Sequence, residues 1–135
     1  MEYKDLIKKA AEAREFSYSP YSHFKVGAAL LAKSGKVFTG CNIENATYTP
    51  TVCAERTAFF KAVSEGEREF EALAIVGGLE GEIAPFCAPC GVCRQVMAEF
   101  CDKSFKLVLG TPDKFGIYTL DEVLPFAFTH EDLKM

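Results

Sequence analysis

The sequence predicts an α/β fold: a mixed five-stranded sheet with helices on both faces, a three-layer α/β/α arrangement. Three observations predict it. Helix-period segments alternate with short apolar ones along the 135 residues. The middle of the chain reads strand, helix, strand, helix, strand, an order that demands parallel strands joined by right-handed crossovers. Near the start, two apolar runs are separated only by KSGK, the signature of an antiparallel hairpin.

Each element has its own grounds. Tyr3 to Glu15 reads as a helix, because Tyr3, Leu6, Ile7, Ala10 and Ala13 recur at helical spacing among lysines and glutamates. SYSPYS, Ser17 to Ser22, is turn and loop chemistry. Phe24 to Ala32 is apolar and short enough for a strand, Lys33 to Lys36 forms the tight turn, and Val37 to Ile43 returns. Pro50 and Thr51 offer a helix start and Gly66 a stop, so Val52 to Glu65 is helical. ALAIVGG, Ala72 to Gly78, is a buried strand. Pro89 suits a helix start, and Val92, Val96, Met97 and Phe100 then trace one face of a second central helix. Phe105 to Gly110 and Gly116 to Leu120 are strands, followed by a short helix from Asp121. No repeat, low-complexity run or linker interrupts the chain, so residues 1–135 are expected to form one domain.

Composition narrows the function. Hydrophobic residues make up 49% and charged residues 25%, an ordinary globular balance. No segment reaches the ~18 consecutive apolar residues of a membrane span, and the charged start lacks the apolar core of a secretory signal. A cytoplasmic protein with reduced thiols is expected, so the six cysteines argue for metal or packing rather than disulfides. Net charge is -4 and the pI about 5.2. With lysines and arginines scattered and outnumbered, neither nucleic acid nor membrane is an expected partner.

Two motifs carry chemistry. TVCAERTA, Thr51 to Ala58, places Cys53, Glu55 and Arg56 at one helix start, and APCGVCRQ, Ala88 to Gln95, places Cys90 and Cys93 at the other. Cys90 and Cys93 are three apart and can grip one ion. If the two helices lie side by side, Cys53 completes a three-thiolate site. Zinc with three protein ligands keeps a fourth position for water, the pattern of a catalytic site. Glu55 lies some 200° around a helix from Cys53, so the two share no lateral face. They can still converge at the open end of the first turn, with Glu55 placed to move protons. Three thiolates against one divalent ion leave a net negative centre. Two helix N-termini, roughly +0.5 each, and Arg56 donating to a cysteine sulfur offset that charge and restore Lewis acidity.

CAE with PCGVC resembles the signature of the zinc-dependent nucleoside and nucleobase deaminases. The string FKVGAALLAKSGKVFTGCNIENATYTPTVCAERTA resembles the small, all-cysteine, homotetrameric cytidine deaminases, and the likeness runs from the first helix to LPFAF and HEDL. The resemblance implies the cytidine deaminase fold and hydrolytic release of ammonia from cytidine or 2′-deoxycytidine. Zn2+ is then the cofactor, held by Cys53, Cys90 and Cys93, and a free pyrimidine nucleoside the substrate. Glu55 is the proton carrier between water, ring N3 and the leaving amine. Asn42 and Glu44, in CNIEN, match ribose-binding positions, Phe24 a pocket aromatic, and the Ala54 backbone N–H a donor to the base carbonyl. A glutamate accepts from a sugar hydroxyl but repels phosphate, so free nucleoside should be preferred over nucleotide. In a homotetramer, Phe128 corresponds to an aromatic that reaches a neighbouring subunit's pocket. Phe126 stands where the family usually has a small residue, so it is a second candidate for that task.

Cys87 extends the motif to CAPCGVC and competes with Cys93 as a partner for Cys90; Pro89 and the helix start favour Cys90 with Cys93. Cys41 and Cys101 read as small buried residues, and His23 and His130 fall at no motif position. Four other readings compete. A structural zinc module with Cys41 as a fourth thiolate leaves Glu55 idle. A redox pair of Cys90 and Cys93 needs neither Cys53 nor Glu55. A deaminase for a blasticidin-type nucleoside shares the zinc motif, although NIEN favours an ordinary ribose. A polynucleotide editor sits badly with the acidic pI and Glu44.

Overall fold

Strand alternation decides which side each helix covers. In the computed structural model, which describes residues 1–133, β1 (Phe24–Ala32) turns Ala28, Leu30 and Ala32 to one face and Ala29 and Leu31 to the other. β3 (Phe70–Leu79) does the same with Leu73 and Ile75 against Ala72, Ala74 and Val76. Both faces are therefore buried, and α1 (Tyr3–Ala13) packs Leu6, Ile7 and Ala10 on the second of them. The first face carries α2 (Ala54–Ser64) and α3 (Gly91–Phe100), with Ala58, Phe59, Ala62, Cys93 and Met97 in its core. The expected three layers are present.

The sheet runs β2-β1-β3-β4-β5, with β2 at Val37–Cys41, β4 at Lys106–Gly110 and β5 at Phe115–Thr119. β1 pairs antiparallel with both β2 and β3, β3 pairs parallel with β4, and β4 antiparallel with β5. β2, β3 and β4 thus share one direction, as the crossover argument requires. Only β3 and β4 are adjacent, because β1 inserts between β2 and β3. The register sets Ala28 against Ile75 and Ile75 against Leu109 across the three central strands.

Element ends differ from expectation for local reasons. The first helix stops at Ala13 and tightens into a 3₁₀ turn, Arg14–Phe16. β2 stops at Cys41, since Asn42 and Ile43 turn to bond Tyr18 and Val52. Val52 is therefore outside α2, and Pro89 lies two residues ahead of α3 rather than in its first turn. Val92 is exposed, so the buried stripe of α3 runs through Cys93, Met97 and Ala98. The last strand and helix shift by one residue: α4 (Leu120–Val123) starts on Leu120 because Thr119 and Glu122 form a capping box.

Two features press the site-bearing helices into place. Phe59 of α2 meets Phe70, Phe100 and Phe105 at ring-centroid distances of 5.2, 6.2 and 6.1 Å, locking α2 to α3. At Gly40 of β2 a Cβ would lie 2.5 Å from the Ala54 carbonyl and 2.6 Å from the Ala58 nitrogen. Glycine is what lets the first turn of α2 rest directly on the sheet. Among the described residues, no helix is long and apolar enough to cross a membrane.

Candidate active site

Cys53 and Cys90 are the residues that cap α2 and α3 at their N-termini, each with extended backbone. The two starts lie side by side. Cys53 Sγ is 3.6 Å from Cys90 Sγ, Cys90 Sγ is 3.4 Å from Cys93 Sγ, and all three sulfurs fall within 4.8 Å of one another. A tetrahedral zinc with Zn–S near 2.3 Å sets sulfurs about 3.8 Å apart, so the cluster has the spacing the ion needs. Neither Cys87 nor Cys41 belongs to the group. That removes both the competing ligand pair and the fourth thiolate of a closed structural site.

The sulfurs cannot all be anionic at this spacing without a cation. Cys53 is pulled down to about 5, chiefly by the thiol of Cys93 donating to it, with the Arg56 guanidinium adding to the effect. Cys93 is pushed far up, first because it gives that hydrogen bond and then by burial. Cys53 thus carries charge while Cys93 keeps its proton, and a divalent ion takes that proton's place. Arg56 Nη2 donates to Cys53 Sγ at 3.3 Å, as its position suggested, and its Nε is buried with no partner among the described residues.

Glu55 is the second residue of α2 and only 4% exposed. Burial first, and then the Cys53 charge, push its carboxyl up to about 7. A carboxyl that titrates near neutrality is suited to taking and returning protons. Ala54, between the two, is the first helical residue, whose N–H has no acceptor within the helix.

Cys53, Ala54, Glu55 and Cys90 face one cleft of about 290 Å³, with Cys93 buried and outside its lining. Its walls include Phe24 and Val26 of β1, Asn42 and Glu44 beyond β2, Cys53, Ala54 and Glu55, and Cys87, Ala88 and Cys90. Every substrate residue expected from the sequence is there except Phe128. Phe128 is exposed and lies outside the lining, its backbone carbonyl accepting from Gln95 Nε2 of α3 at 2.7 Å. Phe126 is fully exposed as well, on a backbone with φ of 55°. A second hollow adjoins the cleft through Glu44 and Thr51, walled by the edge-to-face pair of Tyr21 and Tyr48.

One wall residue that the motif spacing offered as a ligand serves instead as packing. Cys87 is held at the back of the cleft by Gly77, where a Cβ would come within 2.6 Å of its Sγ and 3.2 Å of the Phe24 ring. Burial, then Glu55, raise its thiol to about 11, so it is a neutral filler.

A model of the family described as the cytidine and deoxycytidylate deaminase zinc-binding region matches residues 1–109. The chain belongs to this deaminase family. The cytidine deaminase of Sporosarcina psychrophila is 53% identical over 135 residues, covering 98% of this chain and 96% of the relative. That of Halalkalibacterium halodurans is 52% identical over 134 residues, covering 98% of each. The crystal structure of cytidine deaminase from Burkholderia pseudomallei matches with a TM-score of 0.86 at 47% identity, over 95% of this chain and all of that one. The deaminase is a zinc-dependent hydrolase, and its three clustered thiols are suited to that metal.

Proposed function

We propose that the deaminase hydrolyses cytidine and 2′-deoxycytidine to uridine and 2′-deoxyuridine plus ammonia, a step of pyrimidine salvage. The observation that carries this reading is the buried Glu55 carboxyl lining the same cleft as Cys53 and Cys90 of the three-sulfur cluster. Cys53, Cys90 and Cys93 hold the zinc, which when bound supplies an activated water. As the water oxygen bonds to C4, Glu55 accepts one of its protons and delivers it to N3 of the ring; it then carries the second proton, from the new C4 hydroxyl, to the amine, and the C–N bond breaks to release ammonia. The Ala54 N–H donates to the base carbonyl, and Phe24 packs against the base. Asn42 and Glu44 take the sugar, and the negative charge of Glu44 turns away a phosphate. Arg56 draws charge from Cys53 and keeps the metal acidic.

The assembly is inferred to be a homotetramer in which Phe128 of one subunit closes the cleft of the next; its exposure beyond its own cleft supports this. A cytoplasmic setting is inferred as well, since reducing conditions keep such thiols available to metal. The test is an ultraviolet assay with cytidine, deoxycytidine, CMP and blasticidin S, with zinc quantified on the same sample. Turnover of the first two and stoichiometric zinc are expected. Failure to release ammonia from cytidine, or preference for blasticidin S, refutes the reading.

A further inference from the structure

Asn42 and Glu44 do not stand free in the cleft. The segment that bears them is zipped to SYSPYS, the loop ahead of β1: Tyr18 N–H donates to the Asn42 carbonyl at 3.0 Å, and Glu44 N–H to the Tyr18 carbonyl at 2.8 Å. Side chains complete the seam. Asn42 Oδ1 accepts from Val26 N–H at 2.9 Å and from the Ser17 hydroxyl, and its Nδ2 donates to the Phe24 carbonyl at 2.8 Å. Two backbone partners of opposite polarity fix which way the amide faces. Glu44 Oε1 accepts from the Tyr21 and Ser22 N–H groups at 2.9 and 3.1 Å, and its Oε2 accepts from the Ser22 hydroxyl. That same hydroxyl accepts from Phe24 N–H at 3.1 Å.

The capacities can be counted. An amide has two donors and two acceptor sites, a carboxylate about four acceptor sites. Asn42 has spent both acceptors and one donor; Glu44 has spent three acceptors. What remains to these two cleft-lining residues is one N–H on Asn42 and one lone pair on Glu44. A hydroxyl both accepts and donates, so one sugar hydroxyl satisfies the pair.

From this we infer that Ser17 and Ser22 are positioning residues for sugar recognition. Neither is counted among the groups that touch substrate. Ser22 clamps Glu44 and ties it to the start of β1 that carries Phe24, while Ser17 occupies the Asn42 oxygen so that only its N–H is presented. The inference rests on the reading of the cleft as a nucleoside site.

The experiment compares wild type, Ser22→Ala, Ser22→Thr and Ser17→Ala on cytidine and on 2′,3′-dideoxycytidine. Losing the clamp should raise KM for cytidine roughly five- to tenfold in Ser22→Ala with kcat within about twofold, and less in Ser17→Ala, where Val26 and Phe24 still hold the amide. KM for the dideoxynucleoside should not move, and Ser22→Thr, which keeps the hydroxyl, should behave as wild type. A KM increase of equal size on both substrates, no increase on either, or no rescue by threonine overturns the positioning role and leaves the deaminase reading standing. A wild-type enzyme inactive on cytidine overturns both, and that result is visible before any variant is compared.

Discussion

Replacing Glu55 by glutamine separates its chemical role from its effect on stability. The carboxyl is 4% exposed, and burial lifts it from 4.5 to about 7 in the metal-free protein. The folded state therefore binds this proton more tightly than the unfolded chain. The associated stability is whole below about pH 4.5 and is lost as pH rises through 7. Ionising it in place costs about 3 kcal/mol at alkaline pH. Glutamine has nearly the same shape and no such penalty. Metal-free Glu55→Gln should accordingly be the more stable protein at pH 8, by up to roughly 3 kcal/mol or 6–12 °C in Tm, and should match wild type near pH 4.5. Thermal unfolding of chelator-treated wild type and variant across pH 4.5–8.5 reads this directly. The zinc-loaded variant should keep its metal and lose roughly 10²–10⁴ in kcat, the contribution of a general acid–base. A stability gap independent of pH, or turnover at the wild-type rate, refutes the argument.

Arg56→Ala should retain zinc but move the activity profile to higher pH, since the sulfur it serves then gives more charge to the metal and makes it a weaker Lewis acid; an unmoved profile removes the role. Phe128→Ala should raise KM for cytidine several-fold while Phe126→Ala changes it little, and the reverse order in steady-state kinetics would reassign the intersubunit aromatic. Gly77→Ala should raise KM by driving Cys87 and Phe24 into the cleft, and a second change, Cys87→Ala, should recover much of the loss. If the double variant is as impaired as the single one, the contact at 2.6 Å is not what glycine protects.

The hydrophobic periods made the helices and strands legible, because both faces of this sheet are covered and the apolar runs are correspondingly long. Sheet order was less legible. The hairpin and the crossovers fix directions, but nothing in Val37 to Ile43 says that it lies at the edge or that β1 parts it from β3. The meeting of Cys53, Cys90 and Cys93 was legible because the thiols at helix starts are few enough to count. The seam between SYSPYS and CNIEN was not: serines in a loop read as turn chemistry, and their partners lie some 20 residues away. Cys87 was misleading for a related reason. Spacing of three suggests a shared face, but Cys87 precedes the helix, and Gly77 on β3 holds it to the back wall instead.

The angular objection to pairing Cys53 with Glu55 dissolves for the same kind of reason. A rotation of about 200° separates residues two apart only while both lie in the helix. Cys53 is the capping residue, with φ -76° and ψ 155°, so its side chain is released from helical rotation. Glu55 remains inside the first turn and is held buried there. One residue of extended backbone thus lets a thiol and a carboxylate address the same point from the open end of a helix. Cys90 uses the same device on α3 and reaches Cys93, three residues on. On α3 the Cys93 N–H donates to Cys90 Sγ at 3.4 Å, and both helices bring their positive N-terminal ends to the cluster, where an excess of negative sulfur most needs them. Ala54 between the two is fully buried, and its carbonyl lies where a side chain on Gly40 would stand. A larger residue at position 40 would lift the whole turn off the sheet, taking Cys53 and Glu55 with it. The chemistry at the mouth of the cleft therefore depends on how closely a helix can approach the strand beneath it.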